Sequence, residues 1–138
     1  MAPPDFLRKL GARPGDVLLV LDPDLRPFAA GARVVREPRK GEKVRGVLFR
    51  PGPKERIPRD LRRYRARIQE DGFLWAVIPK KSAIEAPGRD VRFEDVLASA
   101  LRTDLVDNKT LTFSETEYGV RLVVRRRLRR QPAGRASP

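Results

Sequence analysis

The sequence predicts a single α/β domain with a mostly parallel sheet, and three features lead to that prediction. An unbroken apolar run, Phe73–Ile78, lies between Asp71–Gly72 and Pro79, which is typical of a strand covered on both faces. Aliphatic runs at 17–21 and 44–49 repeat the pattern. Segments with helical spacing alternate with these runs, and that alternation favours parallel pairing of the strands.

The helices are predicted from apolar spacing and from residues that start or stop helices. Pro3–Asp5 opens a short helix, and Gly11 suits its left-handed cap. A longer helix is predicted over 57–70, followed by a turn at Asp71–Gly72. One face of that helix carries Ile57, Leu61, Tyr64 and Ile68. A third helix is expected over 91–103, with Asp90 as the N-cap.

The remaining strands complete the predicted sheet. Residues 25–31 are too short and too proline-marked for a full crossover helix, and 32–37 follow as a weak strand. Strands at 105–113 and 119–126 form a closing hairpin, in which Arg121 and Arg125 alternate with apolar residues and indicate a solvent-facing side. The prediction is a Rossmann-like α/β sheet with an antiparallel C-terminal hairpin strand and helices on both faces.

Composition excludes several kinds of chemistry. The chain has 138 residues, enough to bury a core without disulfides, and it contains neither cysteine nor histidine. Thiolate catalysis, cysteine-ligated zinc and a histidine general base are therefore excluded. Few thermolabile residues suggest a thermophile. No apolar run is long enough for a membrane span, and the first residues lack a signal peptide's apolar core, so we expect a cytoplasmic protein.

The sequence leaves the partner unknown, but the net charge of +13 suits an anionic one, either nucleic acid or an acidic protein. No membrane partner is expected, because no apolar run is long enough for a span. The predicted domain covers residues 1–126, and a basic, disordered tail covers 127–138. Phosphate contacts are predicted from the 57–70 helix and the tail, at Arg59, Arg62, Arg63, Arg126, Arg127, Arg129 and Arg130. A solvated arginine-rich surface is the alternative, and no recognised nucleic-acid reader motif is present.

The segment Leu10–Leu21 reads LGARPGDVLLVL. It resembles the entry to the first strand of class I methyltransferases. Together with Gly72–Trp75, Pro79–Ser82, Glu94–Val96 and Leu105–Lys109, it makes the chain similar to a family of small bacterial domains of unknown function. The ending Glu115–Leu122 completes the set. Those domains look like shortened methyltransferases, and the resemblance implies a Rossmann-like, methyltransferase-like fold but no activity to carry over.

The cofactor loop that a methyltransferase needs is missing. After the first strand the chain has Asp22-Pro23-Asp24, and no glycine occurs until Gly31. Glu37 lies where a ribose-binding acid would be, but Arg50-Pro51-Gly52 lacks the Asn/Asp-Pro-Pro-aromatic motif. We predict a non-catalytic binding or regulatory domain with a degenerate pocket and no cofactor. The alternatives are a basic nucleic-acid-associated protein and a residual enzyme that uses S-adenosylmethionine or a phosphate ligand.

Two groups of residues are candidates for ligand binding. Asp22 and Asp24 follow a strand, as in metal-binding D-x-D pairs of aspartyl phosphotransferases, although turn chemistry also explains them. We expect no bound metal. Lys80, Lys81 and Ser82 lie at the carboxyl end of the predicted central strand, where open α/β sheets bind ligands. The predicted ligand- or anion-binding set is Asp22, Asp24, Glu37, Lys80, Lys81 and Ser82, and Lys80, Lys81 and Ser82 are the part expected to hold an anion.

Overall fold

A six-stranded mixed sheet organises the protein. The computed structural model describes residues 5–37, 39–81 and 90–125. The helices are α1 (Phe6–Leu10), α2 (Ile57–Arg65) and α3 (Phe93–Ala100), with 3-10 helices at Pro23–Ala29 and Lys54–Arg56. The strands are β1 (Val17–Val20), β2 (Arg33–Val35), β3 (Val44–Phe49), β4 (Ile68–Pro79), β5 (Leu105–Thr112) and β6 (Glu117–Val124).

The strand order is β2-β1-β3-β4-β6-β5. The first four strands in this order are parallel, and β6 runs antiparallel to both of its neighbours. The predicted fold class is therefore confirmed. The reversed strand lies inside the sheet, however, and β5 forms the edge beyond it.

Helices cover both faces of this sheet, as predicted. On one face, α2 and α3 bury Ile57, Leu61, Val96 and Ala100 against the strands. On the other face, α1 and the Pro23–Ala29 3-10 helix pack over Trp75 and its neighbours. The Phe73–Ile78 run is fully buried, and the Trp75 indole N–H donates to the Leu10 carbonyl at 2.9 Å. The prediction of a strand covered on both sides is confirmed.

The predicted 57–70 helix is wrong in its last turn. The helix ends at Arg65, and Ile68 already belongs to β4, where it pairs with Val44. The Val44 N–H donates to the Arg67 carbonyl at 2.8 Å, so the chain already pairs with β3 before it reaches Ile68. The helical spacing of Ile68 was therefore coincidental, because a residue on the buried side of a strand is apolar for the same reason.

The predicted turn at Asp71–Gly72 is also part of β4. The register between β3 and β4 shifts between Val44 and Gly46, so this stretch is an irregular strand segment rather than a chain reversal. Gly72 is required there by close approach, since a Cβ atom would lie 2.5 Å from the Arg45 carbonyl oxygen. A glycine beside an aspartate marks a strand irregularity here.

Two further predictions need correction. Helix α3 is shorter than 91–103 and begins after Arg92, whose N–H donates to the Asp95 carboxylate at 2.9 Å, so Asp90 is not the N-cap.

The face of β6 that carries Arg121 is not the solvent-facing side that the sequence predicted. The Arg121 guanidinium lies 5.1 Å from the centre of the Phe73 ring, and a Cβ at Gly11 would meet it. This face of β6 is therefore largely covered, and Arg121 itself is half-buried.

Candidate functional site

The carboxyl ends of the parallel strands bring most of the predicted anion-binding residues to one edge of the sheet. Asp22 follows β1, Glu37 follows β2, Arg50 follows β3 and Lys80 follows β4. The chain leaves β1 for β2 on one side and returns to β3 on the other. This reversal between β1 and β3 creates a topological switch point, where open α/β sheets bind their ligands.

Arg50 spans this edge and ties three elements together. Its Nε and Nη2 atoms donate to the two carboxylate oxygens of Glu117 at 2.8 and 2.9 Å, a bidentate pair. Its Nη1 donates to Asp24 at 2.7 Å. Its backbone N–H donates to Asp22 Oδ2 at 3.1 Å, directly across the switch point. We call Arg50 with Asp22, Asp24 and Glu117 the Arg50 network.

The Arg50 network is partly shielded from water. The side chains of Arg50 and Glu117 are only 21% and 17% exposed, whereas Asp24 is 66% exposed. The hydrogen bonds to Glu117 raise the pKa of Arg50 above its ordinary value, burial opposes that rise, and Asp24 adds to it. The guanidinium therefore stays charged, and the Glu117 pair is the dominant contact.

This geometry bears on the D-x-D interpretation. Both aspartates accept hydrogen bonds from Arg50, as expected of acids that close a strand end rather than of a metal-binding pair. In the described ranges no group of three or more potential metal-ligating side chains occurs. Ligand binding at Asp22 and Asp24 stays a prediction, and it would require Arg50 to share or release these acids.

The other predicted residues of the edge are less constrained. The Lys80 N–H donates to the Thr116 carbonyl at 2.7 Å. Lys81 lines a small cavity of about 70 Å³ with Arg92 and Tyr118, where burial raises the pKa of Tyr118. Ser82 lies outside the described residues, so the proposed Lys80-Lys81-Ser82 anion site stays a prediction.

A second feature lies on the sheet face beside α2. No helix connects β2 to β3, so the face of β1 and β2 next to α2 is left open. The resulting groove, of about 230 Å³, is lined by Leu19, Leu21, Arg36, Glu37, Arg63, Tyr64 and Arg67. We call it the basic groove.

One of the predicted nucleic-acid contacts, Arg63, lines the basic groove. Arg59 and Arg62 are exposed on α2, and the predicted contacts Arg126, Arg127, Arg129 and Arg130 lie outside the described residues.

Sequence reasoning missed four of these side chains. Arg50 and Glu117 were assigned no role, although a basic residue after one parallel strand and acids after another indicate charge pairing at a shared edge. Glu117 was placed in the hairpin turn, but it opens β6 opposite Pro79. Arg36 and Arg67 join the basic groove through tertiary contacts, for which the sequence carried no signal.

Comparison with solved structures identifies the architecture. A Sulfolobus solfataricus protein assigned as a type 11 methyltransferase matches with a TM-score of 0.56 at 12% identity, over 94% of this chain and 92% of that one. The chain has the class I methyltransferase fold. A Clostridium thermocellum protein assigned as an rRNA methylase gives a TM-score of 0.55 at 12% identity, over 87% and 94% of the two chains.

A third structure with the methyltransferase fold was solved with a ligand. It is an S-adenosylmethionine-dependent methyltransferase from Bacteroides fragilis in complex with S-adenosylhomocysteine, with a TM-score of 0.55 at 14% identity, over 90% of this chain and 78% of that one. Neither a family model nor a curated protein matches the sequence. At these identities the likeness establishes the fold.

Within this methyltransferase fold, the segment after β1 differs from the glycine-rich loop that the family resemblance implies. Leu21 and Asp22 lead directly into the 3-10 helix Pro23–Ala29, which contains a second proline at 27. The short, proline-marked crossover predicted from sequence is confirmed. No described helix is long and apolar enough to cross a membrane.

Proposed function

We propose that this domain is a non-catalytic binding or regulatory module in which the ligand crevice of the methyltransferase fold is closed by the Arg50 network. The observation that carries the proposal is the bridge across the switch point, made by Arg50 with Asp22, Asp24 and Glu117. A ligand in the crevice would compete with these charge-assisted contacts. The partly buried pair with Glu117 is the strongest of these contacts, so displacing it opposes binding.

The backbone after β1 supports the same proposal. A cofactor held against this edge needs free N–H groups and a close approach of the chain, which glycine permits. Pro23 and Pro27 supply no N–H group, and the Leu25 N–H already donates to the Asp22 carbonyl at 2.9 Å. The segment therefore has few donors left for a phosphate or a carboxylate.

A residual enzyme that uses S-adenosylmethionine or a phosphate ligand is the second candidate. It is favoured by the fold, by the ligand in the Bacteroides fragilis structure and by Glu37 at the end of β2. In this alternative Arg50 would swing away from Glu117, and Glu37 would accept hydrogen bonds from a ribose.

A calorimetric and thermal-shift titration of the full chain separates the two candidates. S-adenosylmethionine, S-adenosylhomocysteine and phosphate with magnesium are added to about 1 mM. A ligand present at 100 times its Kd stabilises by about 2.7 kcal/mol, which raises the melting temperature by several degrees. We expect no such rise and no binding heat. Saturable binding of either adenosyl compound would show that the crevice opens and would favour the enzyme.

A further inference from the structure

The basic groove has an electrostatic character of its own. Three arginines, Arg36 from the end of β2 and Arg63 and Arg67 from α2 and its C-terminal turn, stand around it, with Glu37 as the single acid. None of these arginines forms an ion pair with an acid in the described part of the chain, unlike Arg50 and Arg65. Arg63 lies over the Tyr64 ring, 5.9 Å from its centre, and that contact leaves its charge unneutralised by an acid. Like charges that line one groove without acidic partners favour binding of an anion.

The remaining lining is apolar. Leu21, at the carboxyl end of β1, and Tyr64, 4.7 Å from the Phe49 ring, line the groove, and Leu19 also lines it but is only 3% exposed. Leu21 and Tyr64 are only partly buried. An apolar and aromatic floor within a cationic rim suits a ligand that combines phosphates with flat apolar groups.

The groove is part of a larger cationic surface. Its volume of about 230 Å³ is less than the roughly 300 Å³ of the smallest pockets that enclose drug-sized ligands. Exposed Arg59 and Arg62 continue the cationic surface along α2, and exposed Arg33 continues it along β2. A chain of regularly spaced negative charges could contact the groove and both extensions at once.

We propose that the basic groove binds single-stranded nucleic acid, with backbone phosphates on Arg36, Arg63 and Arg67 and a base against Leu19, Leu21 and Tyr64. A double helix keeps its bases stacked inside, so it offers the apolar floor nothing. An acidic protein segment has the charges but lacks the flat bases. The proposal names a partner for a binding domain. The groove shares Glu37 with the adenosyl alternative, but the proposed contacts are made by Arg36, Arg63 and Arg67 and not by the Arg50 network, so the adenosyl titration and the experiment below can fail independently.

Fluorescence anisotropy with the full chain tests the proposal. The probes are a labelled 12-nucleotide RNA without secondary structure, the DNA of the same sequence and the corresponding RNA duplex. The groove variant carries Arg36→Gln, Arg63→Gln and Arg67→Gln. We expect this variant to bind single-stranded RNA at least tenfold more weakly, and its log Kd against log salt to have a slope about 2 smaller, since three phosphate contacts are lost.

The matched control carries Arg8→Gln, Arg13→Gln and Arg26→Gln. These arginines are exposed and do not line the groove: Arg8 lies on α1, Arg26 on the 3-10 helix and Arg13 in the loop after α1. The net charge falls by the same amount as in the groove variant. We expect a change in Kd of less than about threefold, because only long-range attraction is reduced. Circular dichroism at the assay temperature verifies that both variants are folded.

Weaker binding by the groove variant alone supports the site. The RNA and DNA probes then show which of the two nucleic acids the groove prefers. Equal losses in both variants would overturn the proposal, because binding would follow total charge. A duplex bound more tightly than the single strand, competition by poly-glutamate as effective as competition by unlabelled RNA, or no binding by the natural chain would also overturn it.

Discussion

At the scale of single residues, Arg50 determines the state of the carboxyl edge. Its side chain contacts an acid after β1 and another at the start of β6. Arg50→Ala leaves Glu117 partly buried without this partner, so we expect unfolding free energy to fall by about 2 kcal/mol in urea titrations. The matched control is Arg8→Ala. Arg8 is 83% exposed and pairs with Asp5 at 3.6 Å, so a change below about 0.5 kcal/mol is expected.

Similar losses in both variants would mean that the Arg50 network is no stronger than a surface ion pair. The closed-crevice proposal would then lose its energetic basis.

Only part of the Arg50 network could be predicted from the sequence. The acids after β1 were recognised, but their partner was not, because Arg50 and Glu117 are 67 positions apart and only sheet order brings them together.

A second prediction at the residue scale concerns Tyr64 and alkaline pH. Burial raises the pKa of the Tyr64 phenol above its ordinary value of about 10, so the folded protein retains that proton more strongly than the unfolded chain. This contribution is fully present below pH 10 and is lost as the pH rises through the folded-state pKa. Tyr64→Phe should therefore lose less stability than the natural chain between about pH 9.5 and 11.5.

Urea midpoints measured across that pH range check the Tyr64 prediction. Lysines also titrate in this range, so only the difference between the two chains is informative. Parallel curves would show that the phenol titrates alike in the folded and unfolded states. Tyr118, whose pKa is also raised by burial, should give a shift in the same direction when it is changed to Phe.

At the scale of elements, the contact between β3 and β4 depends on a missing side chain. Gly46 pairs with Phe73, and a Cβ at Gly46 would lie 2.1 Å from the Phe73 ring. Gly46→Ala forces that ring and the Arg121 side chain above it to move, so we expect a destabilisation of about 1–3 kcal/mol in urea unfolding. Gly52→Ala is the control, since nothing lies within 4 Å of the added Cβ.

A neutral Gly46→Ala would show that the Phe73 ring can relocate without cost. The sequence predicted β3 with its observed bounds but gave no reason for its glycine. The reason lies in a ring supplied by the neighbouring strand. The same limit explains the error at residues 66–70, where helical spacing continued into a segment that pairs with β3.

At the scale of the whole molecule, one sheet separates two apolar layers, and the layers should unfold together. Val96 of α3 lies in one layer and Leu10 of α1 in the other, both fully buried. Val96→Ala and Leu10→Ala should each lower stability, by about 1–4 kcal/mol, in a single transition. Trp75 fluorescence and far-ultraviolet circular dichroism should report the same midpoint in each variant, because β4 contributes to both layers.

Midpoints that separate in one variant would mean that the α1 layer opens on its own. Single-step unfolding would agree with the predicted single domain over residues 1–126. The assignment of 127–138 as a tail concerns residues outside the described part of the chain, and it stays a prediction.

The sequence by itself determined the fold class, the order of strands and helices along the chain, and the loss of the glycine-rich loop. These follow from local information: apolar periodicity, glycine and proline positions, and the residues after β1. Tertiary structure alone decided that Arg50 closes the switch point, that Arg121 is covered by α1, and that Arg36, Arg63 and Arg67 share one groove. These contacts join residues that are far apart in the sequence. They form only because the sheet places particular strands side by side, and no local sequence pattern specifies which strands become neighbours.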